Sequence, residues 1–229
     1  MIPIRDDAPK STTPFINYFL IALNVLVFLF ELSLGPRSRA GFVSQFGFIP
    51  YRVDAWFAGA VPASYALFPL ISSMFLHGSP LHLIFNMWGL FIFGDNVEDR
   101  LGHFGYLIFY FVCGLIASIT HFIFNLNSQV PSIGASGAIA GVMGAYFLLY
   151  PSARVLTWFG FFILWLPAWL VLGYWFIVQF LSGAATAITY SSETGGGIAV
   201  WAHVGGFVAG ALFIKLLPTR KRYYSFEDY

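Results

Sequence analysis

Six apolar stretches, at roughly 15–34, 80–97, 104–124, 134–150, 155–181 and 200–217, leave this chain few ways to fold. A helix needs about 20 mainly apolar residues to cross a hydrocarbon core. Inside lipid every backbone N–H and C=O must find a partner within the protein, so these stretches read as helices rather than open strands. A soluble fold is excluded by charge: only 9% of the 229 residues are Asp, Glu, Lys or Arg, against about 25% in a water-facing domain. The expected fold is all-α, a polytopic membrane protein. Its six-helix bundle occupies 15–217, between cytoplasmic tails at 1–14 and 218–229.

The few charges set the orientation. With both termini inside, Arg5, Lys10, Arg100, Arg154, Lys215, Arg220, Lys221 and Arg222 face the cytoplasm, and Arg37, Arg39 and Arg52 face outward. Eight basic residues against three obeys the positive-inside rule. The first loop, 35–79, carries Phe42, Phe46, Phe48, Tyr51, Trp56 and Phe57, a composition that settles in the outer membrane interface. A net charge of +1, with no basic cluster interleaved with aromatics, gives no nucleic-acid partner. The single cysteine, Cys113, forms no intrachain disulfide and no metal site by itself.

Polar side chains interrupt the apolar stretches at one level. With this topology, spans two, four and six run inward from the outer face. Span two carries His77, His82 and Asn86, span four opens at Ser136, and span six carries His203. Ser136 lies fourteen residues before Tyr150, and His203 fourteen before Leu217. At 1.5 Å per residue each stands about 21 Å above the inner end, roughly 9 Å below the outer surface of a core about 30 Å thick. His82 and Asn86 are one turn apart and share a helix face.

Taken singly, each residue has an ordinary reading. A serine among Gly and Ala is usually a packing residue, and an intramembrane Asn usually bonds a neighbouring helix. A lone intramembrane His is costly unless it is functional or hydrogen-bonded inside the bundle. His103 and His121 have no evident partner and read as structural. Taken together the set is a nucleophile and its base. No Asp or Glu occurs between Leu101 and Ser192 or within span six, so the expectation is a dyad of Ser136 and His203 rather than a triad. The N-terminus of span four offers unpaired N–H groups and the positive end of its dipole. With His82 and Asn86 as donors, this is a pocket for a developing oxyanion. Gly134 and Ala135 give a substrate backbone access to Ser136. Gly137, with Gly205, Gly206 and Gly210 of span six, lets spans four and six approach closely.

These residues resemble the rhomboid family of intramembrane serine proteases. "GASGAIAG" with Ser136 is similar to the family's nucleophile motif, "HGSPLHLIFN" with His82 and Asn86 to its second-span motif, and "AHVGGFVAG" with His203 to its sixth-span motif. "GDNVEDRLG" resembles the connection after span two, which implies a structural role for Glu98 and Arg100. The resemblance implies a six-helix bundle with a water-filled cavity open to the outer side. Short tails and the absence of an Arg/Ser-rich presequence point to a bacterial cytoplasmic membrane. The resemblance also implies cleavage of single-span membrane proteins within membrane lipid, without cofactor or metal. Ser136 would attack, His203 would act as base, and His82, Asn86 and the Ser136 N–H would hold the oxyanion.

Two departures stand out. The aromatic that some members place four residues after the nucleophile is Ala140 here, which leaves the orientation of His203 without an assigned group. The Trp-Arg pair of some first loops is absent. Span five is bulky, and Pro167 within it predicts a mid-helix kink, suiting a movable wall against span two. The competing expectations are a catalytically inactive relative that binds membrane clients, and a small transporter. The latter fits poorly, because the polar residues sit to one side of the midplane and there is no inverted repeat.

Overall fold

The computed structural model describes residues 1–188 and 200–220. Lys221 and Arg222 of the C-terminal tail, and most of the connection 182–199, lie outside the described residues.

Strand β1 (Ile2–Asp6) precedes helix α1 (Phe15–Ser33). The first loop then folds into short helices α2 (Pro36–Phe46), α3 (Pro50–Phe57), α4 (Ala63–Leu67) and α5 (Pro69–Ser72), closed by a 3₁₀ turn at Ser73–Phe75. Helices α6 (Pro80–Leu101), α7 (His103–Phe124) and α8 (Ser136–Leu149) follow. The hairpin β2 (Arg154–Phe159) and β3 (Phe162–Pro167) leads into α9 (Ala168–Ile188), and α10 (Val200–Leu216) ends the bundle. Helices α1 and α7, and α9 through Ala185, are long and apolar enough to cross a membrane. The Ala63–Phe75 segment and α6 form a fourth such unit, bent by 78°. Helices α8 and α10 are apolar but shorter, at 14 and 17 residues.

Proline punctuates these starts. Pro36, Pro50 and Pro80 each occupy the first turn of a helix, where a missing N–H costs nothing and φ is already helical. Gly102, at φ 72°, makes the sharp reversal between α6 and α7 that a residue with a Cβ would resist.

The bundle is centred on α8, which packs against α6, α7, α9 and α10. It meets α10 backbone to backbone. A Cβ at Gly206 would stand 2.0 Å from the Gly137 carbonyl oxygen, and one at Gly210 would stand 1.9 Å from that of Gly141. From the other side α7 presses in, with Ala117 beside Gly137 and Cys113 beside Gly141. The small residues thus let three helices pack without side-chain spacers.

Two expectations are corrected. Residues 155–167 are a β-hairpin and not the first half of a helix. Phe159 pairs with Phe162 across Gly160 and Phe161, and Gly160 has φ 59°. A two-residue turn with a positive-φ glycine first matches the right-handed twist of the strands. Pro167 therefore ends β3, immediately before α9 begins, and puts no kink inside a span. The first 14 residues are not a free tail either. β1 joins the hairpin to give the antiparallel order β1-β2-β3, with Ile2 opposite Trp158 and Asp6 opposite Val155.

The following residues are laced to the end of α6. Lys10 pairs with Asp95 at 2.6 Å, and Asp99 accepts from the Thr12 N–H at 2.9 Å. Glu98, fully buried, accepts the Ile16 and Asn17 N–H groups at 3.0 and 2.7 Å. It caps the start of α1, where anionic charge meets the positive end of the dipole. His103, expected to lack a partner, bonds the same carboxylate. Arg100 receives the Arg220 N–H on its carbonyl. The "NVEDR" stretch thus ties the chain start, α1, α7 and the end of α10 into one end of the bundle.

Candidate active site

At the opposite end the N-termini of α6, α8 and α10 surround a recess. The segment entering α8 is held from outside the membrane helices. Phe48 and Ser132 exchange backbone hydrogen bonds at 3.0 and 2.7 Å, and the Gly134 N–H donates to the Ser73 carbonyl at 2.9 Å. The aromatic first loop therefore anchors the approach to Ser136. Gly134 has φ 122°, a conformation only glycine adopts readily. Helix α8 starts at Ser136 with no side-chain cap, which leaves its first N–H groups directed at the recess.

Ser136 and His203 meet there. The serine Oγ lies 2.8 Å from His203 Nε2. The imidazole is buried, and its other nitrogen, Nδ1, lies 2.9 Å from Oε1 of Gln179 on α9. Trp175, one turn earlier on α9, lies beside the ring with centroids 5.8 Å apart. Ala140, where an aromatic would be expected, is fully buried against α10 at Gly206, so α8 has no room there for a ring.

His82 and Asn86 converge on the strained glycine. A Cβ at Gly134 would stand 2.7 Å from His82 Nε2 and 3.5 Å from Asn86 Nδ2. The His82 N–H is taken by the capping hydroxyl of Ser79 at 3.2 Å. Its Nδ1 accepts the Gly78 N–H at 3.4 Å, which leaves the proton on Nε2 and makes that atom a donor toward the recess. Asn86 Nδ2 is buried with no hydrogen-bond partner among the described residues. Such a donor is costly unless something arrives to accept from it. A small cavity beside Ser136 is lined by Ser73, Ser118, Ser132 and Gly134.

The candidate site residues are therefore gathered: Ser136 and His203 in contact, His82 and Asn86 over Gly134, and Gly137, Gly206 and Gly210 in the α8–α10 seam. His77 is fully buried against His82, with ring centroids 5.0 Å apart. His121 is buried and bonded to Asn125, which caps the C-terminus of α7. Sequence reasoning missed Gln179 and Trp175. The signal was available, because an amide in the middle of "WFIVQF" is an intramembrane polar residue, and such residues are rarely idle.

The fold and recess define a helical membrane protein with a serine–histidine pair sunk at its helix N-termini. The family model for the rhomboid domain matches residues 64–220, and the chain belongs to the rhomboid family. It is 28% identical to the bovine presenilin-associated rhomboid-like protein, mitochondrial, over 80% of this chain and 49% of that protein. It is 34% identical to rhomboid protease GluP of Bacillus subtilis over 62% of this chain and 25% of that protein. With rhomboid protein 1, mitochondrial, of Saccharomyces cerevisiae it shares 30% identity over 63% of this chain and 40% of that protein. The chain spans about half or less of the length of these relatives.

Proposed function

We propose that this chain is an intramembrane serine endopeptidase that cleaves single-span membrane proteins. The observation that carries the reading is the 2.8 Å contact between Ser136 Oγ and His203 Nε2. His203 Nε2 takes the hydroxyl proton as Oγ bonds the scissile carbonyl carbon, and the carbonyl π electrons become an oxyanion. The Ser136 N–H, His82 Nε2–H and Asn86 Nδ2–H donate to that oxygen. Nε2–H then protonates the leaving amine as the C–N bond breaks. Water repeats the sequence on the acyl-enzyme and restores the serine. No step calls on a metal or cofactor.

The bundle supports placing this chemistry below the membrane surface. We take α1, α6, α7, α8, α9 and α10 as the six spans. Fourteen residues of α8 rise about 21 Å, short of a core about 30 Å thick, so the serine starts beneath the outer surface. The described basic residues support both termini facing inward: Arg5, Lys10, Arg100, Arg154, Lys215 and Arg220 belong to the end remote from the recess. The relatives' names include bacterial and mitochondrial proteins, and positive residues mark the inner side in the bacterial case we favour.

The test uses the protein purified in detergent, a fluorophosphonate probe and a single-span substrate. Labelling and cleavage are expected in the parent and absent in Ser136→Ala and His203→Ala, with thermal stability nearly unchanged. Cleavage that survives Ser136→Ala refutes the assignment. Binding of the substrate without cleavage by the parent would make the chain a client-binding relative.

A further inference from the structure

We propose that Gln179 of α9 is the positioning residue for His203, holding the imidazole in the tautomer that can accept the Ser136 proton. The proposal rests on the dyad reading and supplies what the missing aromatic at Ala140 left open.

The geometry is a straight relay across three helices. Gln179 Oε1 lies 2.9 Å from Nδ1, and Ser136 Oγ lies 2.8 Å from Nε2 on the far side of the same ring. An amide oxygen only accepts, so Nδ1 must carry the proton. Nε2 then presents its lone pair to the serine O–H, as a general base requires. With the proton on Nε2 instead, the ring would donate to the serine and could not activate it. Trp175 sits four residues before Gln179, so both side chains share one face of α9 and confine the ring together.

The choice of an amide suits the setting. A carboxylate would orient the ring equally well, but burying an unpaired negative charge is costly whenever the histidine is neutral. The carbonyl dipole of Gln179 gives direction, and it supports the transient imidazolium, without a standing charge. Because the residue belongs to α9 and the serine to α8, the base is aligned only while α9 lies against α10. Any outward movement of α9 would release it.

Gln179→Leu and Gln179→Glu test the idea, with cleavage measured from pH 5 to 9 alongside ¹⁵N spectra of the His203 ring. The other titratable groups facing His203, His82 on α6 and His121 on α7, stay unchanged in both variants. Gln179→Leu is expected to lower kcat about 10²-fold at similar KM, with an unchanged melting temperature. Its ring nitrogens should lose the single Nδ1-protonated signature of the parent. Gln179→Glu keeps an acceptor and should restore most of the rate. Its carboxylate favours imidazolium, so the acid limb of the profile should move up by about one pH unit or more.

Parent-like kcat and ring spectra in Gln179→Leu would overturn the proposal. So would a rate loss that tracks unfolding in both variants without a shift of the acid limb. Failure of the dyad itself shows separately, as activity that survives Ser136→Ala while the tautomer still responds to Gln179.

Discussion

Gly210→Ala probes whether the α8–α10 seam sets the Ser136–His203 distance. The added methyl would stand 1.9 Å from the Gly141 carbonyl oxygen and 2.7 Å from its Cα. A carbon-to-oxygen contact settles near 3.3 Å, so the helices must part by about 1.4 Å at that level. Both contact atoms are backbone, so no side chain can swing aside. Overpacking of this kind costs about 1–3 kcal/mol, or about 2–12 °C in melting temperature for a chain of this size. His203 lies two turns above on the same face of α10. If half of the displacement reaches it, the 2.8 Å contact opens to about 3.5 Å, the limit of a hydrogen bond. A misplacement approaching 1 Å can cost about 10²-fold in rate. The control is Gly89→Ala, whose methyl meets Ile139 at an ordinary 3.5 Å and should gain about 0.5–1 kcal/mol from helix propensity. Melting curves in detergent and cleavage rates of a single-span substrate report both effects. If Gly210→Ala melts and cleaves like the parent, the seam is more compliant than its backbone contacts imply.

Gly134→Ala forces a methyl to 2.7 Å from His82 Nε2 at φ 122°, and should lower cleavage about 10²-fold with only a small change in melting temperature. Glu98→Gln removes the charge that accepts two backbone N–H groups of α1, and should cost about 2–3 kcal/mol in thermal denaturation. Asp6 has its carboxyl pushed up to about 6 from an ordinary 3.8, mainly by burial, against the Tyr146 hydroxyl that lowers it and with Asp95 adding to the rise. Its protonated form therefore favours the fold, a contribution complete below pH 4 and lost as pH rises through about 6. Asp6→Asn should flatten the melting temperature over that window and exceed the parent at pH 7.

The seam and the gathered polar groups were legible because each leaves a strong local mark. A run such as Gly205–Gly206 beside His203 has little meaning except close approach, and the depth count from Tyr150 and Leu217 put two reactive groups at one level. The hairpin was not legible in that way. "RVLTWFGFFILWLP" is apolar but for Arg154 and Thr157, so neither helical nor alternating periodicity shows, and length favoured a long helix. Gly160 between aromatic and β-branched residues was the available turn signal. β1 was hidden for a different reason. Its partner is far away in sequence, and the Pro-marked, charged opening looks like a tail until Arg154–Phe159 is there to pair with it. Gln179 left no such mark: it stands alone among apolar residues in "WFIVQF", whereas the amide of Asn86 is one turn from His82.

The β1-β2-β3 sheet has a consequence for biosynthesis. Asp7 and Arg154, joined through both backbone and side chain, are 147 positions apart, so β1 waits for a strand made after four of the six apolar helices. Helix insertion can proceed without that contact, but the knot of carboxylates around Asp6 and Asp95 stays open until the hairpin emerges. Closing so long a loop is slow compared with forming local contacts. The end of the bundle remote from the recess is therefore the last part to set, well after the helices around the serine are in place.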